Sequence, residues 1–134
     1  MPTRHAACSC GQLTIEATGE PFRISICHCL ACQQRTGSAF GIQARFHPEQ
    51  LTIAGRASEY TRTGDEGSQA RFRFCPDCGA TVFWDHPGGA GGVAIAIAIG
   101  AFADPSFTPP TVSVYEARRH PWVTLPPSIV EHWD

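Results

Sequence analysis

The chain contains no lysine; its ten basic residues are all arginine, set against twelve aspartates and glutamates. A formal charge of −2 with no basic block gives no electrostatic footprint for nucleic acid or an anionic membrane surface. Long apolar runs are also missing. The longest, Val93 to Ala103, is too short to span a bilayer and is broken by Gly100. The first 25 residues carry no apolar segment of signal-peptide length, and Cys8 and Cys10 lie inside them. These absences predict a cytoplasmic protein with neither a membrane nor a nucleic-acid partner. Helical periodicity is scarce as well. No window supports a three-turn amphipathic helix, and only Leu30–Arg35 could form a short turn.

Turn formers and strand formers take the place of helix. Thirteen glycines and eleven prolines make up roughly 18% of the 134 residues, against a usual ~12%. The length predicts a single domain over residues 1–134. Short stretches of strand character recur at Leu13–Ala17, Phe22–Cys27, Ala39–Phe46, Leu51–Ile53, Ser58–Thr63, Ala70–Phe74, Thr81–Trp84, Val93–Ile99 and Thr111–Tyr115. In Ala70–Phe74, Phe72 and Phe74 share one face and Arg71 and Arg73 take the other. In Val93–Ile99 small alanines alternate with large apolar residues, which predicts a central strand covered on both faces. Loops are expected at 64–67 and 87–92. The fold class is mainly β, with few or no long helices.

Seven cysteines are present, an odd number that argues against a disulfide framework. They fall into three groups: Cys8-Ser9-Cys10-Gly11, Cys27-His28-Cys29-Leu30-Ala31-Cys32, and Cys75-Pro76-Asp77-Cys78-Gly79. A C-x-x-C-G turn points two thiolates to one side, and its glycine permits the positive φ that turns backbone amides toward the sulfurs. Two such pairs would close one four-thiolate site. The middle group would supply three ligands and leave a fourth position open, the arrangement of a catalytic zinc. Spacing alone leaves other groupings available. Cys29-x-x-Cys32 and Cys75-x-x-Cys78 could form a zinc ribbon, His28 or His5 could close the middle site, and a C-x-x-C pair could act in thiol–disulfide exchange.

The order and separation of Cys8-x-Cys10-Gly11, Cys27-His28-Cys29-x-x-Cys32 with Thr36-Gly37-Ser38, and Phe74-Cys75-Pro76-x-Cys78-Gly79 narrow these choices. So do Gly100, Asp104-Pro105, Pro109 and the run from Arg118 to Pro121-Trp122. With these features the chain resembles the glutathione-dependent formaldehyde-activating enzyme family, which includes centromere protein V. The resemblance implies a β-tent of antiparallel sheets around zinc. It implies a structural zinc on Cys8, Cys10, Cys75 and Cys78, and a second, open zinc on Cys27, Cys29 and Cys32, two ions per chain. It also implies a carbon–sulfur lyase reaction like that of S-(hydroxymethyl)glutathione synthase, in which a small-molecule thiol such as glutathione adds to formaldehyde. An anionic thiol calls for arginines. Arg35 is nearest in sequence to the open site, with Arg71, Arg73 and Arg118 as further choices, and His28 could donate to the substrate. The contrasting expectation is a non-catalytic interaction domain stabilised by two structural metals.

Overall fold

A computed structural model describes residues 1–64, 67–88 and 93–134. Residues 65–66 and 89–92, in the two loops expected from the sequence, lie outside the described residues. The chain forms β1 (Thr3–Ala7), β2 (Thr14–Thr18), β3 (Arg23–Cys27), α1 (Leu30–Thr36), β4 (Gly41–Phe46), β5 (Leu51–Ala54), β6 (Ser58–Thr63) and β7 (Gln69–Phe74). It continues through β8 (Thr81–Asp85), β9 (Ile95–Ala98), β10 (Val112–Val114) and β11 (Glu131–His132). Every strand expected from the alternation is present, with its ends moved by at most two residues. No helix among the described residues is long and apolar enough to cross a membrane.

Two strands have no counterpart in the sequence pattern. β1, with the sequence TRHAA, lacks apolar alternation and exists because its full length pairs antiparallel with β2. β11 is a two-residue strand joined to β10. Two sheets result among the described residues. Three strands form the order β1-β2-β5, and eight form β11-β10-β3-β4-β9-β8-β7-β6. Pairing is antiparallel except at β10, which runs parallel to both β3 and β11.

The main core lies between the sheets. Ala6, Ile15 and Ala17 come from the smaller sheet, with Leu13 just before β2, and Ile24, Ala44, Phe46, Phe83 and Ile97 from one face of the larger. Between β7 and β8 the register shifts. Arg73 faces Phe83 while Phe74 faces Thr81, so Val82 is the extra residue of a bulge and turns into the same core.

The other face of the larger sheet is built differently. Cross-strand partners share a face, and one row runs Arg23–Arg45–Ala96–Trp84–Phe72 over β3, β4, β9, β8 and β7. A second row places Ser25 beside Gln43 and Gln43 beside Ala98. A third places Cys27 beside Gly41. Ala96 and Ala98 keep the middle of this face low, which explains the alanines of β9. Arginines at one end, aromatics at the other and a cysteine two rows away surround that depression.

Candidate metal and thiol site

Cys8, Cys10, Cys75 and Cys78 bring their four sulfurs within 4.8 Å of one another. Cys10 Sγ lies 3.6 Å from both Cys8 Sγ and Cys75 Sγ. A disulfide requires about 2.05 Å, whereas a tetrahedron with metal–sulfur bonds of about 2.3 Å has edges of roughly 3.8 Å. The spacing is therefore that of a metal cage. All seven cysteines are free thiols.

The local turns explain the geometry. In the β1–β2 loop, Cys8 N–H donates to Leu13 O at 3.0 Å and Leu13 N–H donates to Cys8 Sγ at 3.3 Å. In the β7–β8 loop, Cys75 N–H donates to Ala80 O at 3.0 Å, and the amides of Asp77 and Cys78 donate to Cys75 Sγ at 3.4 and 3.5 Å. Gly11 and Gly79 take φ of +85° and +80°, the positive values expected after each pair. Gln12, which carries no motif signal, links the two loops. Its Nε2 donates to Cys75 Sγ at 3.0 Å and to Arg56 O at 2.8 Å. Burial pushes the Cys75 thiol up, but donation from Gln12, Cys78 and Asp77 outweighs it and brings the group down to about 6.

Cys27, Cys29 and Cys32 form the second sulfur group, again within 4.8 Å and all buried. Cys27 ends β3, Cys29 caps α1 by accepting from Cys32 N–H at 3.3 Å, and Cys32 lies one turn into the helix. Hydrogen bonds from the Cys27 and Cys32 thiols hold Cys29 down at about 2, and the same contacts push Cys27 up. Among the described residues no fourth cysteine, histidine, aspartate or glutamate joins this group. Either group could hold a metal ion.

The three sulfurs border a cavity of about 290 Å³. Arg23, Arg45, Arg62, His86, Trp84 and Tyr115 are also in its lining. The volume is near the lower bound of ordinary small-ligand pockets, about 300 Å³. Tyr115 has φ 56° and ψ 44° beside Val114, which pairs with Cys27. A bulky residue in the left-handed region is strained backbone, and here it borders the sulfur group.

Neither Arg35 nor His28 lines this cavity. His28 is fully buried, its Nε2 is hydrogen-bonded to Ser113 Oγ at 3.1 Å, and its backbone N–H donates to Val114 O at 3.1 Å. It fastens the cysteine loop to β10. Arg35 lies over two aromatic residues of the cavity wall, its guanidinium carbon 4.4 Å from the centroid of Trp84 and 5.5 Å from that of Phe72. Arg71 and Arg73 are engaged with Asp85 and Glu59, and Arg118 is exposed. The cavity arginines were not singled out from the sequence. The signal was available, because Arg23-x-Ser25-x-Cys27 places an arginine on the face of a sulfur ligand at period two.

The family model for the glutathione-dependent formaldehyde-activating enzyme matches residues 3–118. The chain belongs to this family. Its match includes all seven cysteines of both groups. In fold the chain is similar to a protein from Rhodobacter sphaeroides known by crystal structure. The two share 19% identity over 72% of this chain and 85% of that one, with a TM-score of 0.54. No curated protein matches the chain.

Proposed function

We propose that this chain is a zinc-dependent carbon–sulfur lyase resembling S-(hydroxymethyl)glutathione synthase, which adds a small-molecule thiol, glutathione or a relative, to formaldehyde or a similar electrophile. The observation that carries this reading is the position of the three-cysteine group on the wall of a cavity that also holds arginines. A purely structural metal needs neither the cavity nor the cations, so this placement favours the enzyme over an interaction module.

The donor sets fit zinc. Four sulfurs at tetrahedral spacing, supported by backbone N–H groups, suit a closed structural site on Cys8, Cys10, Cys75 and Cys78. Cys27, Cys29 and Cys32 suit a second ion with one position left for a soft ligand, a substrate thiol above all. When bound there, zinc supplies a cation that keeps a coordinated thiol ionised at neutral pH.

The rest is the work of the chain. Trp84 and Phe72 give the cavity a wall that excludes water, and Val114 and Tyr115 border the sulfurs from β10. Arg45 and Arg62 supply positive charge where a thiolate and its anionic substituents would lie. In the forward direction the S–H adds across the C=O bond: a carbon–sulfur bond forms and the hydrogen ends on the oxygen. The reverse breaks that bond and returns thiol and aldehyde. The gain comes from holding both partners together in one cavity.

Exchange spectroscopy of glutathione with formaldehyde, with and without protein at matched pH, tests the reading. Exchange faster than the uncatalysed background is expected. Exchange at background rate, from protein shown to carry two zinc equivalents, would reject the activity.

A further inference from the structure

Among the described residues, buried polar side-chain atoms without a hydrogen-bond partner are few, and they cluster. Of Arg4 Nη1, His28 Nδ1, Arg35 Nε, Arg45 Nε, Arg62 Nε and His86 Nε2, three belong to residues lining the cavity. An unsatisfied buried donor costs the full desolvation of that group, so such a cluster needs a reason. Arg23 and Arg45 face each other directly across β3 and β4, a like-charge pair that opposes pairing. Burial pushes the Arg45 guanidinium down first, and the Arg23 charge adds to the effect. No aspartate or glutamate among the described residues lines the cavity, and no carboxylate among them pairs with Arg23, Arg45 or Arg62.

We propose that Arg23, Arg45 and Arg62 form an anion subsite that receives a carboxylate of the substrate while its sulfur lies at Cys27, Cys29 and Cys32. This rests on the proposed function for the sulfur end and adds the residues that receive the other end of the thiol. The two ends are set apart by the strand itself: Arg23 stands four residues before Cys27, ~13 Å along β3. Long arginine side chains close part of that gap: Arg45 stands beside Arg23 in the same row of the sheet, Arg62 reaches over Phe72 with its guanidinium carbon 4.9 Å from the ring centroid, and all three line the same cavity as the cysteines. Planar guanidinium groups suit a two-oxygen anion. The cavity therefore selects a thiol with a carboxylate at the far end of a short chain and disfavours uncharged or cationic thiols.

S-methylglutathione separates this subsite from the chemistry, because the thioether keeps both carboxylates and cannot add to an aldehyde. Titration into the zinc-loaded protein, followed by calorimetry and by quenching of Trp84, is expected to show binding that the diester of the same compound lacks. Arg45→Gln and Arg23→Gln should each weaken binding by about tenfold or more, and Arg23→Lys should recover part of the loss. Circular dichroism checks that each variant is folded, and Arg23, the first residue of β3, keeps the test alive if Arg45→Gln does not fold. Equal binding by the diester, or unchanged binding in both variants, overturns the subsite. Tighter binding of inorganic phosphate than of the thioether overturns the carboxylate assignment. Arginine-dependent binding with exchange at background rate would leave the subsite standing and remove the proposed reaction.

Discussion

Arg35 and Trp84 form a cation–π pair beside Cys32 of the three-cysteine group, with the guanidinium carbon 4.4 Å from the indole centroid. Phe72 adds a second aromatic face, and Trp84 is only 2% exposed. Burial pushes the Arg35 guanidinium down, while the charge and sulfur of Cys32 push it back up. A cation held rigidly beside three thiolates offsets the net negative charge they leave on a bound divalent ion. Outside the cavity lining and beside Cys32, Arg35 is placed to act through the sulfurs as a positioning residue.

Replacing Arg35 with glutamine removes that charge and the stacking. We expect a stability loss of about 1–2 kcal/mol from the cation–π contact and the lost packing, read in a thermal melt. Zinc affinity of the second site should fall while the first keeps its metal, as competition with a chelator would show. Arg35→Lys should recover more of the zinc affinity than of the melting temperature, because lysine keeps the charge and loses the planar stack. Equal metal affinity in wild type and Arg35→Gln would contradict this role.

Gly41 makes room for that arginine. A Cβ built at this position would meet Arg35 Nη2 at 2.8 Å, Thr36 Cγ2 at 3.5 Å and Cys32 Cβ at 3.6 Å. Only the first is a clash, and it falls on the end of a flexible side chain. Gly41→Ala should therefore cost little stability, within about 1 kcal/mol, yet displace the guanidinium from Trp84. A loss of second-site zinc affinity resembling that of Arg35→Gln, with a near-normal melt, is the expected signature. A normal chelator titration would show that Arg35 tolerates the methyl group.

The two sulfur groups should respond differently to loss of a ligand. The first ties the β1–β2 loop to the β7–β8 loop, linking the two sheets across more than sixty residues of sequence. Structural zinc contributes about 10–16 kcal/mol in small zinc-finger peptides, comparable with a whole domain's net stability of about 5–15 kcal/mol. Cys75→Ser should therefore unfold or severely destabilise the chain in circular dichroism. Cys29→Ser should keep the fold largely intact and bind one zinc equivalent in place of two. If Cys29→Ser collapses instead, the second metal is structural and the interaction-module reading gains.

Much of this was legible in the sequence, and what was not has physical causes. Alternation located nine of the eleven strands among the described residues, because period two is a local property. It missed β1 and β11, whose pairing comes from partners elsewhere in the chain. The cysteine groups were legible because ligand spacing is local too. The cavity arginines were not, since Arg23, Arg45 and Arg62 meet only once β3, β4 and β6 take their places in the sheet. Nearness in sequence pointed to Arg35, which stands one helical turn past Cys32 and lies over Trp84 and Phe72, outside the cavity lining.

The ion-paired cluster on the opposite face of β7 gives a pH dependence with a definite sign. Asp85 accepts from Arg71 Nη2 at 2.6 Å and from Arg73 Nη1 at 3.1 Å. The Arg71 hydrogen bond, with Arg73 assisting, holds the Asp85 carboxyl below the usual carboxylate range even though burial pushes the other way. An aspartate pKa lower in the folded than in the unfolded chain, where it is about 3.9, stabilises the fold at every pH above that value. The contribution is lost as pH falls through the folded pKa. Both arginines are partly exposed, so its size is discounted to about 1 kcal/mol. Melts of wild type and Asp85→Asn should differ by this amount at pH 7 and converge as pH falls below about 4. Metal release in acid would move both proteins together, so the difference between them isolates Asp85. A gap that persists unchanged at low pH would show that Asp85 stabilises the sheet by packing and neutral hydrogen bonding, with no contribution from its charge.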